Sequence, residues 1–578
     1  MKNFLKHLLC LTMAFMFLFA VACASAPSAD GNATTGGGGG GNAGGGTSNA
    51  ASSGEATSAV NRGDKTIIMR ENWPTYIDPG VGSKLSDSYA FLNMYDTLTF
   101  PVSDGSLQPN LAKSWEANAD STVYTFYLRD DVKFHSGNPF TAHDVKFSMD
   151  RMLTLGEGYA YLFLDIVDSV DVIDDCTVRF NLKNPSGTFP EIAIRLYVLD
   201  EKLVRANFAA SGSYGEFGDY GKGWLLVNDA GSGPYKVKEM RTEEFLLMER
   251  HADYWGGWQG GEPEVIKMQG GLEVATVRTM VSRGELDLTD YLLPPETFVE
   301  LNAMDGVTVV PIPTGANYNV MLNTQLAPTD DVHVRRAMAY ALDYQTLLDN
   351  VFPGARKATG PVVLGMTDAA LKPEENPYDY NLEKAKAELE QSPYYDDIIS
   401  GRMPIALTWC SEGGSIAEKV ALTLQAGMSA IGAKLEITGK PFATMMTDAQ
   451  TVETTPNASL VEYGSPYLDG GGFLKARYHS SSCGTWEQME WLQSPEIDKM
   501  IEDAMKIADP DERNAKYLEL QRMLVDLCPT IWMFDIAGSF GYRTNQISSF
   551  PAAEKAAAGE SIVYAMGYHM YFRDFRMN

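Results

Sequence analysis

Gly105-Ser106-Leu107-Gln108-Pro109-Asn110-Leu111-Ala112-Lys113-Ser114-Trp115-Glu116, followed by Tyr124-Thr125-Phe126-Tyr127-Leu128-Arg129 and Val132-Lys133-Phe134-His135-Ser136-Gly137, is the stretch on which the reading of this chain turns. Val123 to Arg129 is rich in β-branched and aromatic residues and is flanked by Asp, Asn or Ser, which predicts a strand; Thr177 to Leu182 reads the same way. Upstream, Thr66 to Arg70 is strand-like and runs into a turn-rich segment through Ile77-Asp78-Pro79-Gly80. Helical signals become frequent only later. Asp331 precedes Val334, Met338, Ala341 and Leu342, an apolar stripe behind a good N-cap. Ser494-Pro495-Glu496 and Asp509-Pro510-Asp511-Glu512 each place a cap residue before a first-turn proline, with Glu512 spaced to complete a capping box with Asp509. Strand-rich and helix-rich stretches follow one another without a repeat period, which favours a mixed α/β body of more than one lobe over a solenoid or propeller. No flexible linker separates the lobes, so the chain is expected to cross between them several times, leaving a cleft where a small ligand would sit.

Outward from the body, the N-terminus has the layout of an export signal. Lys2 and Lys6 precede an apolar run from Leu8 to Ala22, and small residues stand immediately before Cys23. The run, about 15 residues, is short of the ~20 a permanent membrane helix requires, and no basic stop-transfer flank follows it. Ala20-Val21-Ala22-Cys23 resembles the bacterial lipobox, with Ala20 where Leu is commoner, so Cys23 is the expected lipidation site and residues 1–23 the signal with its acylated cysteine. Residues 24–63 are almost wholly Gly, Ala, Ser, Thr and Asn, including the six glycines Gly36 to Gly41. Such a composition buries too little apolar surface to fold and is expected to be a coil tether of roughly 35 Å end to end.

Composition narrows the function. The formal net charge is −29, and loss of Lys2 and Lys6 leaves 44 basic against 75 acidic residues, or −31. Such a body repels phosphate backbones, so no nucleic-acid partner is expected. Cys176, Cys410, Cys483 and Cys528 are far apart and contain no C-x-x-C, which argues against zinc; a disulfide, if one forms, is expected between Cys483 and Cys528. No H-E-x-x-H, G-x-S-x-G or Walker A motif is present, and Gly218 to Gly223 resembles a phosphate loop only in composition, because Gly223 follows Lys222. His135 and His143 lie eight apart in a turn-rich stretch and are not expected to form a metal pair. Neither an enzyme activity nor a cofactor or metal is expected.

The opening stretch, with Tyr95-Asp96-Thr97-Leu98-Thr99 before it and Asp144-Val145-Lys146-Phe147-Ser148 after it, resembles in order the signature of the family 5 solute-binding proteins of ABC importers, which include dipeptide- and oligopeptide-binding proteins. The resemblance continues in Gly231-Ser232-Gly233-Pro234-Tyr235, Tyr254-Trp255-Gly256-Gly257, Leu322-Asn323-Thr324, Val334-Arg335-Arg336-Ala337 and Asn381-Leu382-Glu383-Lys384-Ala385, and covers nearly the whole body. It implies an α/β, bilobal periplasmic-binding-protein-like fold of type II with the three-lobed peptide-binder architecture. By analogy, residues 64–578 form the body: lobe I at 64–96, 225–310 and 545–578, lobe II at 97–224, and lobe III at 311–544. Trp115, Tyr124, Phe126 and Phe147 are expected in the core of lobe II, and Gly231 to Tyr235 in a turn. The implied function is capture of a small molecule, a peptide or an oligosaccharide, by an extracytoplasmic, lipid-anchored and monomeric receptor that delivers it to ABC permease subunits. A surface sensor or peptide holder without its own permease is the alternative.

In peptide binders of this family a segment like Trp-x-x-Asp followed by Phe-Leu lines the cleft, its Asp receiving the α-ammonium. Anchored on Phe473-Leu474, the matching segment here puts Tyr463 at the aromatic position and Pro466 where the Asp would stand. Proline offers neither charge nor backbone donor. Glu462 or Asp469 could replace it in a shifted register, and Met321 stands near where some peptide binders present an acid. The expected ligand-binding residues are Tyr318, Asn319, Trp409, Tyr463, Ser465, Tyr467 and Asp469, whose aromatic faces and polar neighbours suit sugar rings as well as peptide side chains.

Overall fold

Thr66–Arg70 does form a strand, with Ile67 and Met69 fully buried on one face. It pairs in parallel with Val265–Gln269, which continues antiparallel to Phe245–Arg250 and Tyr235–Arg241 as a first sheet. The computed structural model describes residues 65–578 except 72, 367, 412 and 413; the signal, Cys23 and the tether lie outside the described residues. The stretch that opened the sequence reading builds a second, antiparallel sheet in the order Ala112–Ala117, Val123–Leu128, Thr177–Leu182, Val167–Asp174. Helix Ala142–Leu155 lies against it. Tyr124 and Phe126 are buried between this sheet and Phe189, and Trp115 stacks half-buried on Phe126 at 6.3 Å. Phe147 instead faces Phe208 and Tyr220, in the cluster shared with the first sheet, because it projects from the other side of its helix.

A third sheet runs Arg356–Lys357, Thr530–Arg543, Val307–Leu322, Ala458–Gly464, Ile405–Cys410, Leu435–Lys440. Its two longest strands also reach the first sheet, through isolated bridges. Val307–Pro313 pairs with Ala537–Arg543, and Leu288 bridges Tyr542 on one side to Met69 on the other. Beyond a register break between Pro313 and Asn317, Asn317–Met321 pairs with Thr530–Asp535 and with Ser459–Tyr463. Gly315, inside the break, has φ of +75°, a left-handed conformation that suits glycine. The expected divide at 310/311 falls within the first of these strands.

The caps foreseen in the sequence are made. Asp331 accepts from the Val334 N–H at 3.3 Å, Ser494 from Ile497 at 3.4 Å and Asp509 from Glu512 at 3.0 Å, opening helices Val332–Ala341, Pro495–Met505 and Pro510–Leu527. Asp509 caps alone, without the return bond from Glu512 that would close a box. Helices are not confined to the later chain. Leu85–Met94 is buried from Ser86 through Met94 and so shows no polar face for periodicity to detect, while Ala142–Leu155 is opened by a Thr141–Asp144 capping box. No disulfide joins Cys483 to Cys528: the Cys483 thiol donates to Gln488 Oε1 at 2.8 Å, and Cys528 is buried at the end of helix Pro510–Leu527. His135 is committed to Asp229 at 2.5 Å and to the Gly233 carbonyl at 2.9 Å, whereas His143 is exposed.

The second sheet's helix is tied to the first lobe by a buried bidentate pair, Arg151 Nη1 and Nη2 donating to Asp78 at 2.7 and 2.6 Å. Removing one partner strands a buried charge, which typically costs about 3–5 kcal/mol. Asp78→Ala is therefore expected to lower the unfolding free energy by an amount of that order, measured by urea titration.

Candidate functional site

A cavity of about 650 Å³ opens beside the register break in strand Val307–Leu322. Its floor is Thr314–Ala316, the break in the shared strand. One wall carries Tyr159, Tyr161, Asp165 and Ile192 from the second-sheet lobe; the opposite wall carries Glu462 to Tyr467, with Lys475, Trp486 and Glu487 behind. Strand Ala458–Gly464 sets this wall by simple alternation: Val461 points into a cluster with Met321 and Met445, so Glu462 points the other way, into the cavity.

Of the residues expected at the site, Tyr463, Ser465 and Tyr467 line the cavity together. The Tyr463 ring meets Phe473 edge-on at 5.8 Å and lies 5.5 Å from the Arg477 guanidinium, and its hydroxyl donates to the Gly472 carbonyl at 3.3 Å. It presents a fixed face. Tyr318 stands opposite Glu462 in register but is buried, its ring against Phe352 at 5.5 Å. Asn319 is fully buried, its amide donating to Asn317 Oδ1 at 2.6 Å. Trp409 packs on Gly439, away from the cavity lining, and Met321 is in the core. Asp469 is also outside this lining: it accepts from Arg513 Nε at 2.9 Å, Tyr517 OH at 2.8 Å and the Gly471 N–H at 2.7 Å, capping helix Gly470–Tyr478.

Pro466 offers its carbonyl, and a cation already holds it. Arg195 Nε donates to Pro466 O at 2.7 Å and Nη2 to Met566 O at 3.1 Å, while the guanidinium lies 4.9 Å from the Tyr159 ring. A second positive group next to Pro466 would be repelled. Glu462 is different. No donor or cation among the described residues engages its carboxylate, which is solvent-exposed and lines the cavity. The half-buried Glu487 carboxyl is raised by desolvation, against the pull of Arg477. Burial drives His569 down to about 3, leaving a neutral imidazole that hydrogen-bonds Tyr89 OH at 3.0 Å. Three carboxylates (Asp165, Glu462, Glu487) thus face one ammonium (Lys475), so the cavity attracts a cation.

The sequence reading missed Tyr159, Tyr161, Tyr291, Trp486 and Glu487. Tyr159 and Tyr161 come from a short 3-10 turn, Gly158–Leu162, which has no periodicity to mark it; two tyrosines beside glycines were the available signal. Among the described residues no helix is long and apolar enough to cross a membrane, and no cluster of His, Cys, Asp and Glu is suited to a metal ion.

The cavity is lined from both sides of the interrupted strand, as that of a solute receptor would be. Residues 106–484 match the model of the bacterial extracellular solute-binding proteins, family 5, and the chain belongs to that family. It is 27% identical over 481 residues to the probable D,D-dipeptide-binding periplasmic protein DdpA of Escherichia coli (strain K12), covering 82% of this chain and 88% of the relative. It is 28% identical over 537 residues to di/tripeptide-binding protein 2 of Pseudomonas aeruginosa, covering 86% and 95%. The crystal structure of the ABC transporter substrate-binding protein CtaP from Listeria monocytogenes shares the fold, with a TM-score of 0.73 at 20% identity over 89% of this chain and 99% of that one.

Proposed function

We propose that the protein is the lipid-anchored receptor of an ABC importer, which encloses a small peptide or similar amine-bearing solute in this cavity and presents the closed form to a membrane permease without altering its guest. The observation that carries this is the Glu462 carboxylate, which lines the cavity with no hydrogen-bond or ion-pair partner among the described residues, where Asp165 and Glu487 add two more acids against one ammonium, Lys475. A solute that displaces water on closure would leave that carboxylate desolvated, and a ligand ammonium supplies the compensating charge. Glu462 thereby takes the part that Pro466 cannot play, with Tyr463, Ser465 and Tyr467 as neighbouring contacts. A neutral sugar would leave the charge uncompensated, so the amine is favoured over an oligosaccharide. The volume of about 650 Å³ suits a di- or tripeptide, in keeping with the ligands named for DdpA and for the Pseudomonas protein. Cys23 carries the anchor, 24–63 the tether, and the lobes divide at 96/97, 224/225, 310/311 and 544/545. Closure follows from a solute that interacts better with the closed form than with the open one.

Native mass spectrometry of the protein as purified, followed by melting screens, tests this. Free-amine di- and tripeptides at 100 times Kd should add about 2.7 kcal/mol of stability. N-acetylated counterparts should not, and Glu462→Gln should erase the difference. Equal shifts from acetylated peptides, or shifts from neutral oligosaccharides alone, would refute the assignment.

A further inference from the structure

Away from the ligand cavity, the two walls touch at a second place. The loop at Gly187–Glu191, which leaves the second sheet, docks onto the junction of helices Pro495–Met505 and Pro510–Leu527. The Gly187 N–H donates to the Met505 carbonyl at 2.7 Å, and Arg513 Nη1 donates back to the Gly187 carbonyl at 3.2 Å. Arg513 Nη2 donates to Glu191 Oε1 at 2.5 Å while Nε holds Asp469. Arg513 is 2% exposed and Glu191 12%, so this is a desolvated ion pair between lobes and not a surface contact. Glycine is required by the closeness of approach. A Cβ on residue 187 would lie 1.8 Å from the Ile507 carbonyl oxygen and 2.9 Å from the Ala508 nitrogen, both backbone atoms of the opposing lobe. Within its own lobe nothing opposes an alanine, since the φ of Gly187 is not in the left-handed region.

The pair is wired to both ligand walls without reaching the ligand. Asp469 ends the segment that carries Tyr463, Ser465 and Tyr467, and Glu191 is followed at once by Ile192 on the opposite wall. The same trio of Glu191, Asp469 and Arg513 also lines a second cavity of about 710 Å³.

We infer that the Gly187–Glu191 loop and Arg513 form a latch that exists only when the lobes are shut, and that it sets ligand affinity and residence time from outside the binding cavity. This rests on the reading of the cavity as a closing cleft. Because the latch contributes to the closed state alone, weakening it lowers apparent affinity through the closed fraction, with every ligand contact intact. Arg513→Lys is a poor probe, since Asp469 and the helix it caps also depend on Arg513. Gly187→Ala is a better one, as its side chain meets an obstacle only on closure, and Glu191→Gln keeps the shape while removing the charge.

Hydrogen exchange on the full chain, with and without saturating trialanine, provides the test. Peptides spanning 186–191 and 505–508 should exchange at least tenfold faster in Gly187→Ala than in the wild type, with Glu191→Gln intermediate. Strand Val123–Leu128 should stay equally protected in all three, showing that the fold is intact. Trialanine affinity, where measurable, should fall at least tenfold in Gly187→Ala. If trialanine changes nothing in any variant, the peptide assignment fails and the comparison of unliganded proteins still reads the latch. Equal protection of 186–191 in Gly187→Ala and wild type, or no protection of this loop in wild type under either condition, overturns the inference.

Discussion

Two neighbouring strands, Val307–Leu322 and Thr530–Arg543, run from the third sheet to the first, and the geometry of the molecule depends on that reach. At one end Leu288 bridges Tyr542 to Met69 of the first sheet; at the other the two are central strands of the third. A ladder of backbone hydrogen bonds resists shear, so the two bodies cannot slide past each other. Rotation is cheaper where the ladder is interrupted, between Pro313 and Asn317, where Gly315 takes a left-handed turn. The interruption is also the cavity floor.

Charge then decides what such a cleft can hold. Buried arginines are used as structural ties: Arg195 holds the Pro466 carbonyl, Arg151 holds Asp78, and Arg513 holds Glu191 and Asp469. Each has acceptors close at hand. The acids of the cleft are treated differently, for Glu462 faces the cavity with no partner among the described residues. Enclosing a solute there would strip water from an unpaired carboxylate, a cost that a cationic guest offsets. The strongly acidic body, at −29 overall, adds a long-range field of the same sign, which steers cations towards the protein.

Much of the fold was legible because local signals agreed with the global pattern. Thr66–Arg70 and Thr177–Leu182 alternate as half-buried strands should, and Asp331, Ser494 and Asp509 are caps that act on their own next few residues. Leu85–Met94 was illegible for the opposite reason: buried all round, it has no polar face. Tyr463, Ser465 and Tyr467, which line the cavity, could be singled out because they lie on one segment that resembles the family's cleft segment. Tyr161, Trp486 and Glu487 were not, since they reach the cavity from elements distant in sequence, an outcome of tertiary packing. The choice between Glu462 and Asp469 also needed the structure. Both are acids flanking the same segment, but strand alternation turns one into the cavity while an Arg513 some 44 residues away claims the other.

The central claim is that the lobes rotate about the interrupted strand pair to enclose a solute. Small-angle X-ray scattering of the protein stripped of its copurified solute, and again after that solute is returned to saturation, addresses it most directly. The account predicts a smaller radius of gyration and a shorter maximum dimension with solute bound, reversed when the solute is removed. Identical scattering profiles at proven saturation would contradict it.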